Sequence, residues 1–344
     1  MKTRVVIVDD SATMRAVIAS YLEADSEIEV VGQAAEPYEA RQLIKAVMPD
    51  VITLDIEMPN MNGILFLEKI MRLRPIPVVM VSTLTQSGAD INLRALEIGA
   101  FDCVAKPSQI APDSFNSLAE KVKAAAKYGC KSRPLKIASV SSVVNNYESD
   151  GRLIAIGSST GGVEALIEIL SKFPENCPPV IISQHMPPTF TKSFAARLNK
   201  LCKPCISEAE DGQRLKVGHV YLAPGDRHLE LSGRVVPEIR LSQAEKVNGH
   251  RPSVDVMFKS VAERVGKRAV ATILTGLGCD GAEGLLALRK VGAETFGQDA
   301  ASCVVYGMPR AAFELGAVER QVPLDRMAAQ LLAATSARNK ASVS

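Results

Sequence analysis

The feature that most constrains this 344-residue chain is a rhythm repeated through its first third: a short β-branched run, a polar turn, then a helix-like segment. The apolar runs are Val5–Val8, Ile28–Val31, Val51–Leu54, Val78–Val81 and Phe101–Ala105. Between and after them lie the helical stretches Ser11–Leu22, Tyr38–Val47, Gly63–Arg72, Asp90–Ile98 and Asp113–Lys127. Runs this apolar read as strands buried on both sides, and their alternation with helices implies a parallel sheet covered on both faces. From Cys130 to Asp150 the texture turns Ser- and Asn-rich without helical period, which reads as a linker. A second alternating block starts at Leu153-Ile-Ala-Ile-Gly157, and its middle, Val220–Leu231, reads as a hairpin. The expectation is an α/β chain of two doubly wound parallel-sheet domains, 1–127 and 152–335, with a linker at 128–151 and a flexible tail at 336–344.

Composition excludes several functions. No apolar run approaches the roughly 18 residues of a membrane span, so no membrane insertion is expected. The first apolar stretch is cut off by Asp9-Asp10, too short for a signal peptide. Seven cysteines, an odd number without an export signal, point to reduced thiols in the cytoplasm. A net charge of +2, no Trp and 4% aromatics argue against a nucleic-acid surface. Residues 1–130 carry 13 Lys and Arg against 17 Asp and Glu, and 153–344 carry 23 against 19, an excess too small and dispersed for a phosphate-binding stripe.

In an open parallel sheet the ligand crevice lies beyond the carboxyl ends of the strands, where the strand order reverses. That rule picks Asp9 and Asp10 after the first run, Asp55 after the third, Ser82 after the fourth (Thr83 being the neighbouring alternative) and Lys106 before Pro107 after the fifth. Clustered carboxylates repel one another and call for a cation, and hard oxygen ligands suit Mg²⁺. A metal beside an exposed Asp also suits phosphoryl transfer. The block resembles a two-component receiver domain of flavodoxin-like fold. The resemblance implies that Asp55 is the phosphoacceptor, that Asp10, Asp55 and the Glu57 carbonyl hold Mg²⁺ with Asp9 assisting, and that Ser82 and Lys106 contact the phosphoryl group. Cys103 stands where receivers often carry an aromatic switch residue.

The second block's first strand runs into Gly157-Ser158-Ser159-Thr160-Gly161-Gly162 and then a helix. No Lys follows to make a phosphate loop, and the glycine spacing does not fit the dinucleotide fingerprint. Gly157-x-Ser159-x-Gly161 does fit a nucleophile elbow, with a plain Gly-rich turn as the bland alternative. A serine needs a base and the base an orienting acid. Of the four histidines, His185 ends the run Val180–Gln184 at the same sheet edge as Ser159, whereas His219 precedes its run, His228 lies in the expected hairpin and His250 sits in a loop. Asp280 follows Val270–Leu274 and emerges at that edge too; Asp226, in a turn, and Asp255, in a helix, are weaker choices. The backbone amides of Thr160 and Leu277 are the expected oxyanion donors. The chain order Ser, His, Asp differs from those of α/β-hydrolases, chymotrypsins and subtilisins.

With Gln184-His-Met-Pro-Pro188, Ala223-Pro-Gly-Asp226, His250-Arg-Pro-Ser-Val-Asp255, Gly278-Cys-Asp-Gly281 and Cys303-Val-Val-Tyr-Gly-Met-Pro-Arg310 in register behind the elbow, the block resembles the chemotaxis protein-glutamate methylesterases, the CheB family. Ser158 and Cys279 stand where that family usually has Ala and Asn. The resemblance implies a Rossmann-like methylesterase domain with a hairpin insertion, in which Ser159 is nucleophile, His185 base and Asp280 its orienting acid. The implied substrates are glutamate methyl esters and glutamines of methyl-accepting chemoreceptors. The implied phosphodonor is a chemotaxis histidine kinase, and the esterase reaction needs no cofactor. One chain joining phosphoacceptor to hydrolase suggests that the unphosphorylated receiver covers the Ser159 edge.

Other features carry less. Cys202-Lys-Pro-Cys205 follows a helix rather than opening one, and no further zinc ligands stand at matching spacing. Met186 and Met308 read as lining or core, and Arg251 as either a substrate contact or cover for the sheet edge. A helix-turn-helix output would need far fewer than the 194 residues after position 150. A docking scaffold without catalysis is the remaining rival.

Overall fold

The five apolar runs of the first block do pair as parallel strands: the first, third and fourth are largely buried and must bond their backbone laterally, while the second, part exposed, closes one edge. In the computed structural model, which describes residues 1–58, 61–83, 86–107, 114–129, 147–233 and 236–337, contacts divide the chain into two units, Met1–Lys136 and Ile137–Ser344. The first holds β1 (Thr3–Val8), α1 (Ala12–Glu23), β2 (Ile28–Ala34), α2 (Pro37–Val47), β3 (Val51–Asp55), α3 (Gly63–Leu73), β4 (Val78–Ser82), α4 (Gln86–Ile98), β5 (Asp102–Ala105) and α5 (Leu118–Tyr128). Its strand order is β2-β1-β3-β4-β5, all parallel, so the order reverses between β1 and β3. Val5–Val8, Ile52, Leu54 and Val78–Val81 are almost wholly buried, each worth about 1.5–3 kcal/mol of transfer free energy. Ser11 and Asn62 cap α1 and α3 by accepting the amides of Met14 and Ile64. A 3₁₀ turn, Ser114–Ser117, replaces the start of the expected last helix.

The second unit contains β6 (Leu153–Ser158), α6 (Gly162–Leu170), β7 (Val180–Gln184), α7 (Pro188–Leu201), β8 (Cys205–Glu208), β9 (His219–Leu222), β10 (His228–Ser232), β11 (Glu238–Ser242), α8 (Val254–Arg264), β12 (Ala269–Ile273), α9 (Ala282–Lys290), β13 (Glu294–Gln298), α10 (Met308–Glu314), β14 (Arg320–Val322) and α11 (Leu324–Ala334). Seven strands form a parallel sheet in the order β14-β13-β12-β6-β7-β9-β8. The chain starts at β6, travels outward through β7, and returns to β12 on the other side. The reversal therefore lies between β6 and β12.

One strand assignment changes. Val220, Tyr221 and Leu222 are buried on both faces and belong to β9 in the main sheet, so the hairpin lies later, at β10 and β11. There Leu229 pairs with Leu241 and Leu231 with Ile239, and these four turn one apolar side onto the core beneath α8. Of the expected linker, residues 130–146 lie outside the described residues. Tyr147 belongs to the second unit: it is buried, its hydroxyl lies 2.9 Å from the Thr335 carbonyl, and Ser149 bridges to Ser336. Residues 338–344 of the expected tail also lie outside the described residues. Among the described residues the six cysteines are free thiols, and no helix is long and apolar enough to cross a membrane.

Close packing at the first switch point gives a stability test. A Cβ at Gly63 would stand 2.0 Å from the Asp55 carbonyl oxygen, a backbone atom that cannot yield. Gly63→Ala is expected to destabilise the first unit by about 1–3 kcal/mol, read as faster amide hydrogen exchange across β1, β3 and β4. Unchanged exchange would show that the loop relaxes freely.

Candidate active site

Two strand–glycine–helix turns build the centre of the second unit. Gly161 (φ 78°) ends the turn after β6 and Gly281 (φ 92°) the turn after β12; each caps the next helix in the left-handed region that favours glycine. A Cβ on Gly161 would strike Val304 at 2.6 Å, and one on Gly281 would strike Val254 at 2.5 Å. The first turn carries Ser159 and the second Asp280. Ser158 and Gln184 are register partners on β6 and β7, so the next residue on each strand, Ser159 and His185, leave the sheet side by side. His185 N–H donates to the Ser158 carbonyl at 3.2 Å, which fixes that exit.

His185 Nε2 lies 2.8 Å from Asp280 Oδ2, with both side chains almost fully buried. Asp280 accepts four further bonds: from Ser253 Oγ at 2.7 Å, Val254 N at 2.7 Å, Asn248 Nδ2 at 3.0 Å and Asp255 N at 3.3 Å. Two of these are the first amides of α8, so the carboxylate sits on a helix N-terminus, where the macrodipole favours negative charge. Burial pushes the Asp280 pKa up, but the bonds and charge of His185, Asn248 and Ser253 outweigh it and hold the carboxyl well below the usual range. An ionised carboxylate only accepts, so His185 Nε2 carries the proton. Its other nitrogen, Nδ1, is buried and has no hydrogen-bond partner among the described residues. The ring therefore presents an open lone pair, and it sits beside Ser159 in the strand register.

Two peptides flank Ser159. The Ser159 carbonyl accepts from Gly162 N at 2.7 Å and Gln184 Nε2 at 2.9 Å, and in a trans peptide this turns the Thr160 N–H the opposite way. The Gly276 carbonyl accepts from Gly307 and Met308 at 3.1 and 2.9 Å, which likewise turns the Leu277 N–H away from them. Gly276 backs directly on Ser159: a Cβ there would meet Met308 Sδ at 2.3 Å and Ser159 Cβ at 2.7 Å. Buried Gln184 was not singled out from sequence; its Oε1 accepts from Ser158 Oγ at 2.6 Å while its amide ties down Ser159.

The remaining candidates find other partners. Wholly buried His228 accepts Ser253 N–H on Nδ1 at 3.2 Å and faces the Glu245 carbonyl through Nε2 at 2.9 Å, a structural role. His219 opens β9 at the amino end of the sheet, the opposite edge from Ser159. His250 stacks on His185, ring centroids 3.7 Å apart and planes within 10°. Arg251 donates to Asp226 at 2.7 Å and to the carbonyls of Gln243 and Ala244, so it fastens loops at the sheet edge. Asp255 accepts Gly284 N at 2.6 Å and Asn248 Nδ2 at 2.9 Å; burial, with Asp280 adding to it, raises its pKa. Burial pushes the Cys202 thiol up to about 12, so it holds no reactive thiolate at neutral pH.

In the first unit Asp9, Asp10 and Asp55 each bring a carboxylate oxygen to within 4.8 Å of the others, the only such group of His, Cys, Asp or Glu among the described residues. Lys106 Nζ stands 2.8 Å from Asp9 and from Asp55. Burial raises the Asp55 pKa, Lys106 pulls it back only in part, and Asp9 adds to the rise. The donor set is all hard oxygen, and its mutual repulsion is incompletely neutralised, which fits a divalent cation. Glu57 lies two residues beyond Asp55 on the same loop, and Thr83, beside buried Ser82, is exposed. Asn92, which the sequence reading passed over, donates to Ser82 Oγ at 2.6 Å, and its carbonyl takes the Cys103 thiol at 3.8 Å.

Comparison with known proteins follows the same division. The CheB methylesterase family model matches residues 154–331, and the response regulator receiver domain model matches residues 5–113. The protein-glutamate methylesterase/protein-glutamine glutaminase 1 of Rhizobium johnstonii is 58% identical over 339 residues, covering 98% of both chains. The Escherichia coli K12 protein-glutamate methylesterase/protein-glutamine glutaminase is 50% identical over 341 residues, again 98% of each. The crystal structure of the Thermotoga maritima CheB methylesterase catalytic domain superposes with a TM-score of 0.52 at 38% identity, covering 53% of this chain and 97% of that one.

The low pKa of Asp280 has a signed consequence. A carboxyl whose folded value lies below its unfolded one stabilises the fold above about pH 4 and loses that contribution as pH falls through the folded value. Asp280→Asn is therefore expected to cost stability at pH 6, with the gap to the unsubstituted protein shrinking by pH 3 in urea titrations. A gap independent of pH would contradict the assignment of the charge.

Proposed function

The chain belongs to the CheB methylesterase family, with a response regulator receiver domain in the same polypeptide, and we propose that Ser159, His185 and Asp280 carry its protein-glutamate methylesterase and protein-glutamine glutaminase activity. The observation that carries this reading is the 2.8 Å bond from His185 to Asp280, with buried Nδ1 unpartnered among the described residues and His185 leaving the sheet beside Ser159. Ser159 Oγ adds to the ester carbonyl of a methylated glutamyl side chain on a chemoreceptor while its proton passes to His185 Nδ1. Asp280 holds the ring and stabilises the imidazolium. The Thr160 and Leu277 amides take the oxyanion, each donor worth about 3 kcal/mol. As the tetrahedral species collapses, the imidazolium returns the proton to the departing oxygen, methanol leaves, and Ser159 holds the acyl group. Water then adds with His185 as base, Ser159 Oγ takes the proton back, and a glutamate carboxylate remains. With glutamine the leaving group is ammonia and the acyl-enzyme is the same.

Regulation is assigned to the first unit. Asp55 is the phosphoacceptor, fed by a chemotaxis histidine kinase, with Lys106 and Ser82 holding phosphoryl oxygens. Asp9, Asp10, Asp55 and the Glu57 carbonyl would hold Mg²⁺, which supplies positive charge opposite those oxygens. Lys106 already supplies one positive charge at that place. In this reading the enzyme resets receptor methylation in adaptation, and phosphorylation of Asp55 raises its activity.

Ser159→Ala is expected to lower methanol release from methylated receptor by at least about 10⁴-fold, since serine and base act as a unit. Full activity in that variant would return the second unit to a docking role. Asp55→Asn is expected to keep basal release and lose its stimulation by a small-molecule phosphodonor.

A further inference from the structure

One hydrogen bond fixes a point on an imidazole ring, not its plane. Among the described residues Asp280 makes the one hydrogen bond to the His185 ring, and that bond alone leaves the ring able to turn about it. The only ring stacked on it among the described residues is His250, at 3.7 Å and 10°. We infer that His250 is a positioning residue that fixes the plane of the His185 ring by stacking.

His250 is itself placed by a device that uses the same carboxylate. Val247 and His250 exchange both backbone hydrogen bonds, at 3.1 and 2.9 Å, across Asn248 (φ 53°) and Gly249 (φ 79°). Two successive positive φ angles make a type I′ turn, for which Asn-Gly is the preferred pair. Asn248 then pins that turn inward, donating to Asp280 Oδ1 at 3.0 Å and Asp255 Oδ2 at 2.9 Å. On the following side Arg251 fastens the segment to Asp226 and to two carbonyls. Asp280 thus takes the edge of the catalytic ring directly and, through Asn248, sets the platform for its face. His250 acts on the reaction through the face of His185 that it covers.

The inference rests on the triad reading above, and the test separates the two. In the full chain, His250→Ala is expected to lower kcat for methanol release by about 10–100-fold with KM within twofold, the scale of a small misplacement of a reacting group. His250→Phe, which keeps a flat ring but no ionisable nitrogen, is expected to recover kcat to within threefold. In ¹⁵N-histidine spectra His185 should show a protonated Nε2 and an acceptor Nδ1, and the pair should broaden toward mixed tautomers in His250→Ala and sharpen again in His250→Phe. An unchanged kcat and unchanged His185 signals in His250→Ala would overturn the inference while leaving the triad standing. So would a rise in KM alone, or a loss that Phe does not recover. Full activity in Ser159→Ala would instead remove the triad, whatever His250 does.

Discussion

Removing a carboxylate from water costs several kcal/mol unless donors replace its hydration, and around Asp280 five of them converge. They come from three separate stretches: the end of β7, the Val247–His250 turn and the first turn of α8. Each stretch must approach closely, and the backbone makes room. Val254, the first residue of α8, presses its side chain to 2.2 Å of where a Cβ on Gly157 would be and to 2.5 Å of one on Gly281. Glycine at both places lets the helix terminus reach the switch point between β6 and β12. Much of the local architecture is the housing of one negative charge, and the charge in turn fixes which nitrogen of His185 is protonated.

The two units treat buried acids in opposite ways. Asp280 has enough donors to hold its pKa down in spite of burial, so it stays ionised and acts as a fixed electrostatic support. Among the described residues Asp55 has the Ile56 amide and Lys106, with Asp9 adding repulsion, and burial raises its pKa. A satisfied carboxylate is suited to orienting a partner, and an under-satisfied one to taking a cation or an electrophilic phosphoryl group. Both lie at the place where strand order reverses, the first between β1 and β3 and the second between β6 and β12.

This explains what the sequence made legible. Asp9, Asp10, Asp55, Ser82 and His185 sit where a buried run stops, and runs of Val and Ile mark that well; Asp280 lies at the far end of the Gly-rich turn after β12. Strand assignment failed where the signal is weak: β8 and β9 are four residues each, and the alternation in β10 resembles its neighbour's continuation. The supports of Asp280 were harder to see. Val254 and Asp255 contribute amides, which have no side-chain signature, and Asn248 and Ser253 reach it only because the chain folds back on itself. Val247-Asn-Gly-His250 did carry a readable turn signal, yet nothing in one dimension aimed that turn at His185. Gln184 likewise passed as the last residue of a strand.

Activation of Ser159 by Asp280-anchored His185 through Nδ1 is the step open to direct test. A fluorophosphonate, which reports serine nucleophilicity without a receptor substrate, tests it most directly. Mass spectrometry should find one adduct, on Ser159, with a labelling rate that collapses in His185→Ala and falls strongly in Asp280→Asn. Labelling at an unchanged rate in His185→Ala, or an adduct confined to another residue, would contradict it.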